Sequence, residues 1–306
     1  MRIVFATDGS ACSREALRGL KSMVCPVGTE IKVATAVDLW HPFTALPDVQ
    51  LREYRKANEL VQEAVTELTA AHPDAEVTAD ILDGFAVDAI LKLCRNWLAD
   101  LLVVGSHGRS GIKRFFLGSV SRGLLLHAPC AVRIVRATPQ PTPDSTRNNV
   151  LIALEESEHS KHLLDHVLSF PWAENTRFTC IHVVPNLGPG LFLDDDTLAV
   201  ENIVDSFNEV VRKHQEWINS VADIINAKYE QKVANGQVLL GDPKERILEY
   251  AAEWPADLIM LGSHGKQNFE KLVLGSVSEG VAMHTQCTTE VTISKRLRKS
   301  GLYLIA

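Results

Sequence analysis

Several features are missing from this sequence of 306 residues, and each absence removes a class of function. No run of about 18 apolar residues occurs, so no membrane-spanning helix is expected. The opening MRIVFATDGS has only a short apolar stretch before Asp8, so no secretory leader is expected either. Six cysteines (Cys12, Cys25, Cys94, Cys130, Cys180, Cys287) are scattered without a CxxC pair. That suits reduced thiols in a cytoplasm better than a disulfide framework or a zinc site. Positive charge is in short supply, with a formal net charge of −7 and a pI near 5.9. Nucleic acid is therefore not expected as a partner, because phosphate-backbone binding wants a positive surface. The one basic cluster, Lys295, Arg296, Arg298 and Lys299, reads as a solvated tail. A Walker A loop and a GxGxxG fingerprint are both absent.

What is present is a soluble composition, 46% hydrophobic and 23% charged with mean hydropathy +0.01, in a chain long enough for two domains. The chain repeats itself. Leu102-Val103-Val104-Gly105-Ser106-His107-Gly108 is echoed by Ile259-Met260-Leu261-Gly262-Ser263-His264-Gly265, and Leu117-Gly118-Ser119-Val120-Ser121 by Leu274-Gly275-Ser276-Val277-Ser278. The offset is constant (262 − 105 and 241 − 84 both give 157), so no insertion separates these landmarks. Between the copies, Ala137 to Asn148 is rich in Pro, Thr and Ser and reads as an extended linker. The expected division is 1–137, a linker 138–146, and 147–306.

Each copy alternates strand and helix patterns. In the first, Arg2–Thr7, Ile31–Val37, Glu76–Leu82, Leu101–Val104 and Ala131–Val135 read as strands. Ser13–Val24, Val49–Ala71, Val87–Leu98 and Gly118–His127 read as helices. The second copy follows from Val150–Leu154 to Glu290–Ile293. The expected fold class is α/β: two tandem doubly wound domains, each a five-stranded parallel sheet with helices on both faces. Ligands of such folds sit at the carboxyl ends of the strands where the strand order reverses. The loops after the first and fourth strands are thus the candidate site.

After the fourth strand comes Gly105-x2-Gly108-x9-Gly118-Ser119, copied as Gly262-x2-Gly265-x9-Gly275-Ser276. Gly105 and Gly108 let backbone turn off the strand and approach a ligand closely. Gly118 and Ser119 open a helix whose free N–H groups favour a phosphate. Ser119 and Ser121 add hydroxyl donors and Arg109 positive charge. The bland alternative is a glycine-rich turn followed by a serine-capped helix. His107 and His264 sit inside the loops, where a backbone or phosphate contact fits better than acid–base catalysis.

The G-x2-G-x9-G-S spacing, the Asp8-Gly9-Ser10 opening after the first strand and the Ala128-Pro129-Cys130 segment resemble the universal stress protein family. The likeness is to its ATP-binding branch in tandem-domain form, and covers all but the linker and tail. It implies an adenine nucleotide alpha hydrolase-like fold and ATP, with or without Mg²⁺, as cofactor. It also implies that Ala6, Thr7 and Val37 line the base pocket and Asp8 faces the adenosine end. Gly105, Gly108, Arg109, Gly118, Ser119 and Ser121, beside His107 and Val120, would hold ribose and phosphates. Apart from the resemblance, Asp8 also suits a strand-end Asx turn. The corresponding positions in the second copy are Gly262, Gly265, Lys266, Gly275, Ser276, Val277 and Ser278. That copy departs from the pattern: Ala153-Leu154-Glu155-Glu156-Ser157 replaces Ala6-Thr7-Asp8-Gly9-Ser10. Lys266, in place of Arg109, loses the bidentate phosphate contact. The first copy is therefore expected to bind ATP better.

His159, His162 and His166 have helical spacing near Glu155 and Glu156, but Cys12, Glu15 and Gly19 stand at those places in the first copy. A solvated helix face is expected there rather than a metal site. Asp194-Asp195-Asp196 reads as a solvated loop, and the apolar stripe of residues 200–229 as core. Three functions compete: an ATP-binding regulator or sensor with slow or no hydrolysis, an adenylating ATP pyrophosphatase, and an interaction protein with relic loops. The SGGxDS-type loop that adenylating enzymes of related fold carry is absent, as TDGSACS and LEESEHS stand in its place. Pairing of the last strands through Val132 and Ile134 with Val291 and Ile293 is expected to give an internal pseudo-dimer. A further homo-oligomer remains an open alternative.

Overall fold

A computed structural model describes residues 1–38, 46–108, 117–136, 148–186, 197–263 and 274–293, with side chains from 203 onward in the segment that begins at 197. The expected linker, Arg109, His264, Gly265, Lys266, Asp194–Asp196 and the basic tail lie outside the described residues. The first copy runs β1 (Arg2–Ala6), α1 (Ala11–Lys21), β2 (Glu30–Val37), α2 (Pro47–Ala71), β3 (Glu76–Asp83), α3 (Ala86–Trp97), β4 (Leu101–Gly105), α4 (Ser119–His127) and β5 (Ala131–Val135). The second runs β6 (Asn148–Ala153), α5 (Glu158–Ser169), β7 (Thr176–Val184), α6 (Thr197–Tyr229), β8 (Ala234–Leu240), α7 (Pro243–Glu253), β9 (Leu258–Gly262), α8 (Ser276–His284) and β10 (Thr288–Thr292).

Most element ends fall within one or two residues of the periodicity reading. α1 begins earlier than Ser13 because the Ser10 hydroxyl accepts from the Ser13 amide and caps the helix at residue 10. Ser157 caps α5 in the same way, accepting from Ser160. β10 stops at Thr292, so Ile293 lies just beyond the strand in which it was expected.

The strands form one sheet of ten in the order β3-β2-β1-β4-β5-β10-β9-β6-β7-β8. Each copy contributes five parallel strands, and β5 and β10 join them antiparallel. Val132 stands opposite Val291, Arg133 opposite Glu290 and Ile134 opposite Thr289. Strand side chains alternate between the faces. On one face Val4, Leu102, Val132, Ile259 and Val291 meet α3, α4, α7 and α8 in a core that runs unbroken across both copies. On the other, Ile3, Phe5, Leu101 and Val103 meet α1 and α2 in one cluster, and Val150, Ile152, Leu258 and Met260 meet α5 and α6 in a second. Phe170, at the end of α5, packs into the first copy's cluster. The reversal of strand order falls between β1 and β4 in one copy and between β6 and β9 in the other. This is the crevice in which doubly wound sheets hold ligands.

Candidate functional site

At the first crevice the loop after β1 and the loop after β4 are stitched to each other. Ser10 Oγ donates to the His107 carbonyl at 3.2 Å while also capping α1. The Ser10 amide donates to Asp8 Oδ1 at 3.0 Å, which closes an Asx turn, and Gly9 turns through a φ of +76°. Asp8 Oδ2 faces the other loop: a Cβ added to Gly108 would lie 2.9 Å from it. The aspartate thus has one oxygen bracing its own turn and the other at the mouth of the glycine loop. Ser10 was not singled out by the sequence, although its place three residues before Ser13 carries the capping signal.

Gly105 and Gly118 fix how the strand exit meets the helix. A Cβ on Gly105 would lie 2.6 Å from the Cys12 carbonyl carbon and 2.8 Å from the Ser13 nitrogen, inside the backbone of α1. The Gly118 amide donates to the Ser106 carbonyl at 2.8 Å, and the Ser106 amide to Val135 at 2.9 Å. Gly118 is the N-cap of α4 and supplies no side chain, and no side-chain cap bond to the first amides of the helix is made among the described residues. Ser119 and Val120 are exposed at this first turn.

Ser121 corrects an expectation. Its hydroxyl is buried and donates to the Gly105 carbonyl at 2.7 Å, and Ser278 repeats the bond to Gly262 at 2.6 Å. A hydroxyl has one proton, so Ser121 and Ser278 fasten helix to strand rather than donating to a ligand. Ser121→Ala is expected to cost about 1–2 kcal/mol, the price of an orphaned buried carbonyl, measured as a shift in denaturation midpoint.

Ala6, Thr7 and Val37 sit together at the ends of β1 and β2, all buried. The Thr7 amide donates to Ala34, and its hydroxyl to Ser13 Oγ at 3.2 Å. His107 Nδ1 lies 3.1 Å from Ser106 Oγ, and Nε2 is buried without a partner among the described residues. Burial, helped by the Arg136 charge, holds its pKa below the usual histidine value. The ring is therefore neutral near pH 7, which suits a hydrogen bond rather than a fixed cation.

The second crevice keeps the skeleton and changes the mouth. Gly275 donates to Ser263 at 2.7 Å and Ser263 to Thr292 at 2.9 Å; Ser276 is exposed and Val277 half-buried at the uncapped start of α8. Glu155 closes no Asx turn: its amide donates to Ser160 Oγ, and its Oε1 is buried without a partner among the described residues. A Cβ on Gly262 would meet His159 Cβ at an ordinary 3.5 Å, so α5 stands farther from its strand than α1 does. His182 Nδ1 is 2.8 Å from the Leu154 carbonyl and packs against His214 and Trp217, at 4.5 and 5.3 Å between ring centroids. Sequence reading missed this cluster because β7 and α6 meet only in the fold. His166 also departs from the solvated face assigned to it, since its Nε2 lies 2.6 Å from Glu290 Oε1. A cavity of about 500 Å³ between the copies, lined by Arg18, Met23, Arg133, Phe170 and Trp172 among others, includes none of the described glycine-loop residues.

The pattern of the universal stress protein family matches residues 1–136 and again 146–292. The chain belongs to the universal stress protein family. A tandem universal stress protein of Mycobacterium tuberculosis is 24% identical over 300 residues, covering 91% of this chain and 90% of that one. A crystal structure of a universal stress protein from Archaeoglobus fulgidus superposes with a TM-score of 0.64 at 24% identity, covering 95% and 96% of the two chains. A protein of Pseudomonas aeruginosa superposes with a TM-score of 0.60 at 14% identity, covering 97% and 94%. These likenesses establish that the chain has the fold of the universal stress proteins. Among its described residues no helix is long and apolar enough to cross a membrane.

Proposed function

We propose that this universal stress protein is a cytoplasmic, ATP-binding regulator or sensor of the stress response, with slow or no hydrolysis, and that its first copy holds the nucleotide. The reading rests on one convergence. The start of α4, where no side-chain cap bond is made among the described residues, the Gly108 backbone and the Asp8 carboxyl group border one crevice where the strand order reverses. The residues fit an adenine nucleotide: a side chain at 108 would fill the cradle, and the orphaned His107 Nε2 offers a polar contact. ATP, when bound, supplies a polyphosphate for the amides of α4 and for Arg109. Asp8 would orient the ribose, and Ala6, Thr7 and Val37 would take the base. Gly105 and Gly118 hold these parts together, and Ser121 locks the helix to the strand.

The second copy, with Glu155 and Glu156 at its mouth, binds more weakly, differently or not at all, since carboxylates there repel phosphate. The chain divides at 137 and 147, and the copies form an internal pseudo-dimer through β5 and β10. Calorimetric titration with ATP is expected to find one tight site per chain. Asp8→Ala should weaken it at least about tenfold, or about 1.4 kcal/mol, and Gly118→Val should abolish it. Removing Mg²⁺ with a chelator reads the metal's share of the affinity. Two equal tight sites would sink the asymmetry, and no ATP affinity would favour an interaction protein with relic loops. Release of pyrophosphate would favour the adenylating enzyme.

A further inference from the structure

The copies differ in charge at the places where each meets its own counterpart. Arg133 stands opposite Glu290 in the β5–β10 ladder, and the two are 157 residues apart, the offset that relates the glycine loops. In an antiparallel pairing of two repeats, only one residue of each strand can face its own equivalent, and the two-fold axis passes between them. Here that residue is arginine in one copy and glutamate in the other. A second axial pair lies in the opposite helix layer. Arg122 of α4 donates to Glu279 of α8 through Nε at 3.1 Å and Nη2 at 2.8 Å, again across 157 residues.

Around the inner pair the neighbours are copy-specific too. Glu290 is wholly buried and Arg133 is 11% exposed, with 2.6 Å between charged atoms. Arg133 also reaches Met23 Sδ at 3.1 Å and lies over the Phe170 ring. Glu290 accepts from His166 of α5, and the position equivalent to His166 in α1 is Gly19 (166 − 153 and 19 − 6 both give 13). Like pairing would bring two guanidiniums, or two carboxylates, together at both axial positions. The inner one is closed to water, where like charges are least tolerated.

We infer that these two axial positions make each copy's pairing surface selective for the other. The first copy's β5–α4 face takes a partner that is acidic at the axis, and the second copy's β10–α8 face a basic one. This holds whether the partner lies in the same chain or in a second copy of it. Attraction selects the unlike pair and repulsion excludes the like pair. The inference rests on the internal pairing proposed above.

The test uses the full chain with a protease site placed within 137–147, cut after folding. Mixed isotope-labelled and unlabelled samples are then read by native mass spectrometry. Unlike pairs should exceed like pairs by at least about a hundredfold, the scale of juxtaposed like charges at an interface. Arg122→Glu with Arg133→Glu should make the halves separate on cutting. Adding Glu279→Arg and Glu290→Arg should restore unlike pairs. If the Arg133 variant fails to fold, Arg122→Glu against Arg122→Glu with Glu279→Arg reads the same selection at the exposed pair. Like pairs as abundant as unlike ones, or no recovery on the charge swap, overturn the selectivity. Wild-type halves that separate, with freely exchanging β5 and β10 amides, overturn the pairing itself.

Discussion

Gly105→Ala is expected to destabilise the protein by about 3 kcal/mol or more, while Gly262→Ala costs less than about 1 kcal/mol. The two glycines share a position in the repeat and differ in what faces them. At Gly105 a methyl group would stand 2.6 Å from the Cys12 carbonyl carbon and 2.7 Å from its oxygen. Those atoms are helix backbone, which has no rotamer to change, so α1 must move as a body off β4. It carries Ser10 and Ser13 and follows directly from the Asp8 turn. The same change should therefore lower ATP affinity along with stability. At Gly262 the nearest atom is His159 Cβ at 3.5 Å, an ordinary contact. Alanine there also limits the freedom of the unfolded chain, which offsets part of any cost. Denaturant unfolding of both variants, with hydrogen exchange in β4 and β9, reads the contrast. Equal costs would refute the difference in helix distance.

Glu290→Gln is expected to cost about 3–5 kcal/mol, the range found when one partner of a buried ion pair is removed. Glutamine keeps the shape but leaves the Arg133 guanidinium without its counter-charge beside Met23 and Phe170. The pair also sets an acid response. Burial works to raise the Glu290 pKa, but the Arg133 charge and His166 outweigh it and hold the carboxyl down at about 2. A folded pKa below the unfolded one gives stability that is present above about 4.5 and lost as pH falls toward about 2. Wild-type stability should therefore drop across that window more steeply than that of Glu290→Gln, measured by denaturation at a series of pH values. Parallel slopes would mean that folding leaves the Glu290 pKa unchanged.

The sequence by itself determined the repeat, the order of strands and helices and the crevice side of the sheet. Those are local signals: buried runs such as Leu101–Val104, helical spacing in α1 and glycines at fixed intervals are legible without knowing what lies across from them. It also marked Asp8 and the glycine loop as one candidate site, since both follow the ends of strands that a doubly wound order makes adjacent. The tertiary structure decided what each of those groups touches. Ser121 looked like a donor to a ligand until β4 brought the Gly105 carbonyl within 2.7 Å of it. His166 looked solvated until Glu290 came to lie against it. Gly105 and Gly262 each end a buried apolar run and precede Ser-His-Gly, and the packing of α1 and α5 separates them. Pairing of the last strands was expected from their apolar residues, but only the antiparallel register set Arg133 opposite Glu290. A pattern of two or 3.6 residues is written in neighbouring side chains, whereas register and helix distance depend on segments that meet only when the chain folds.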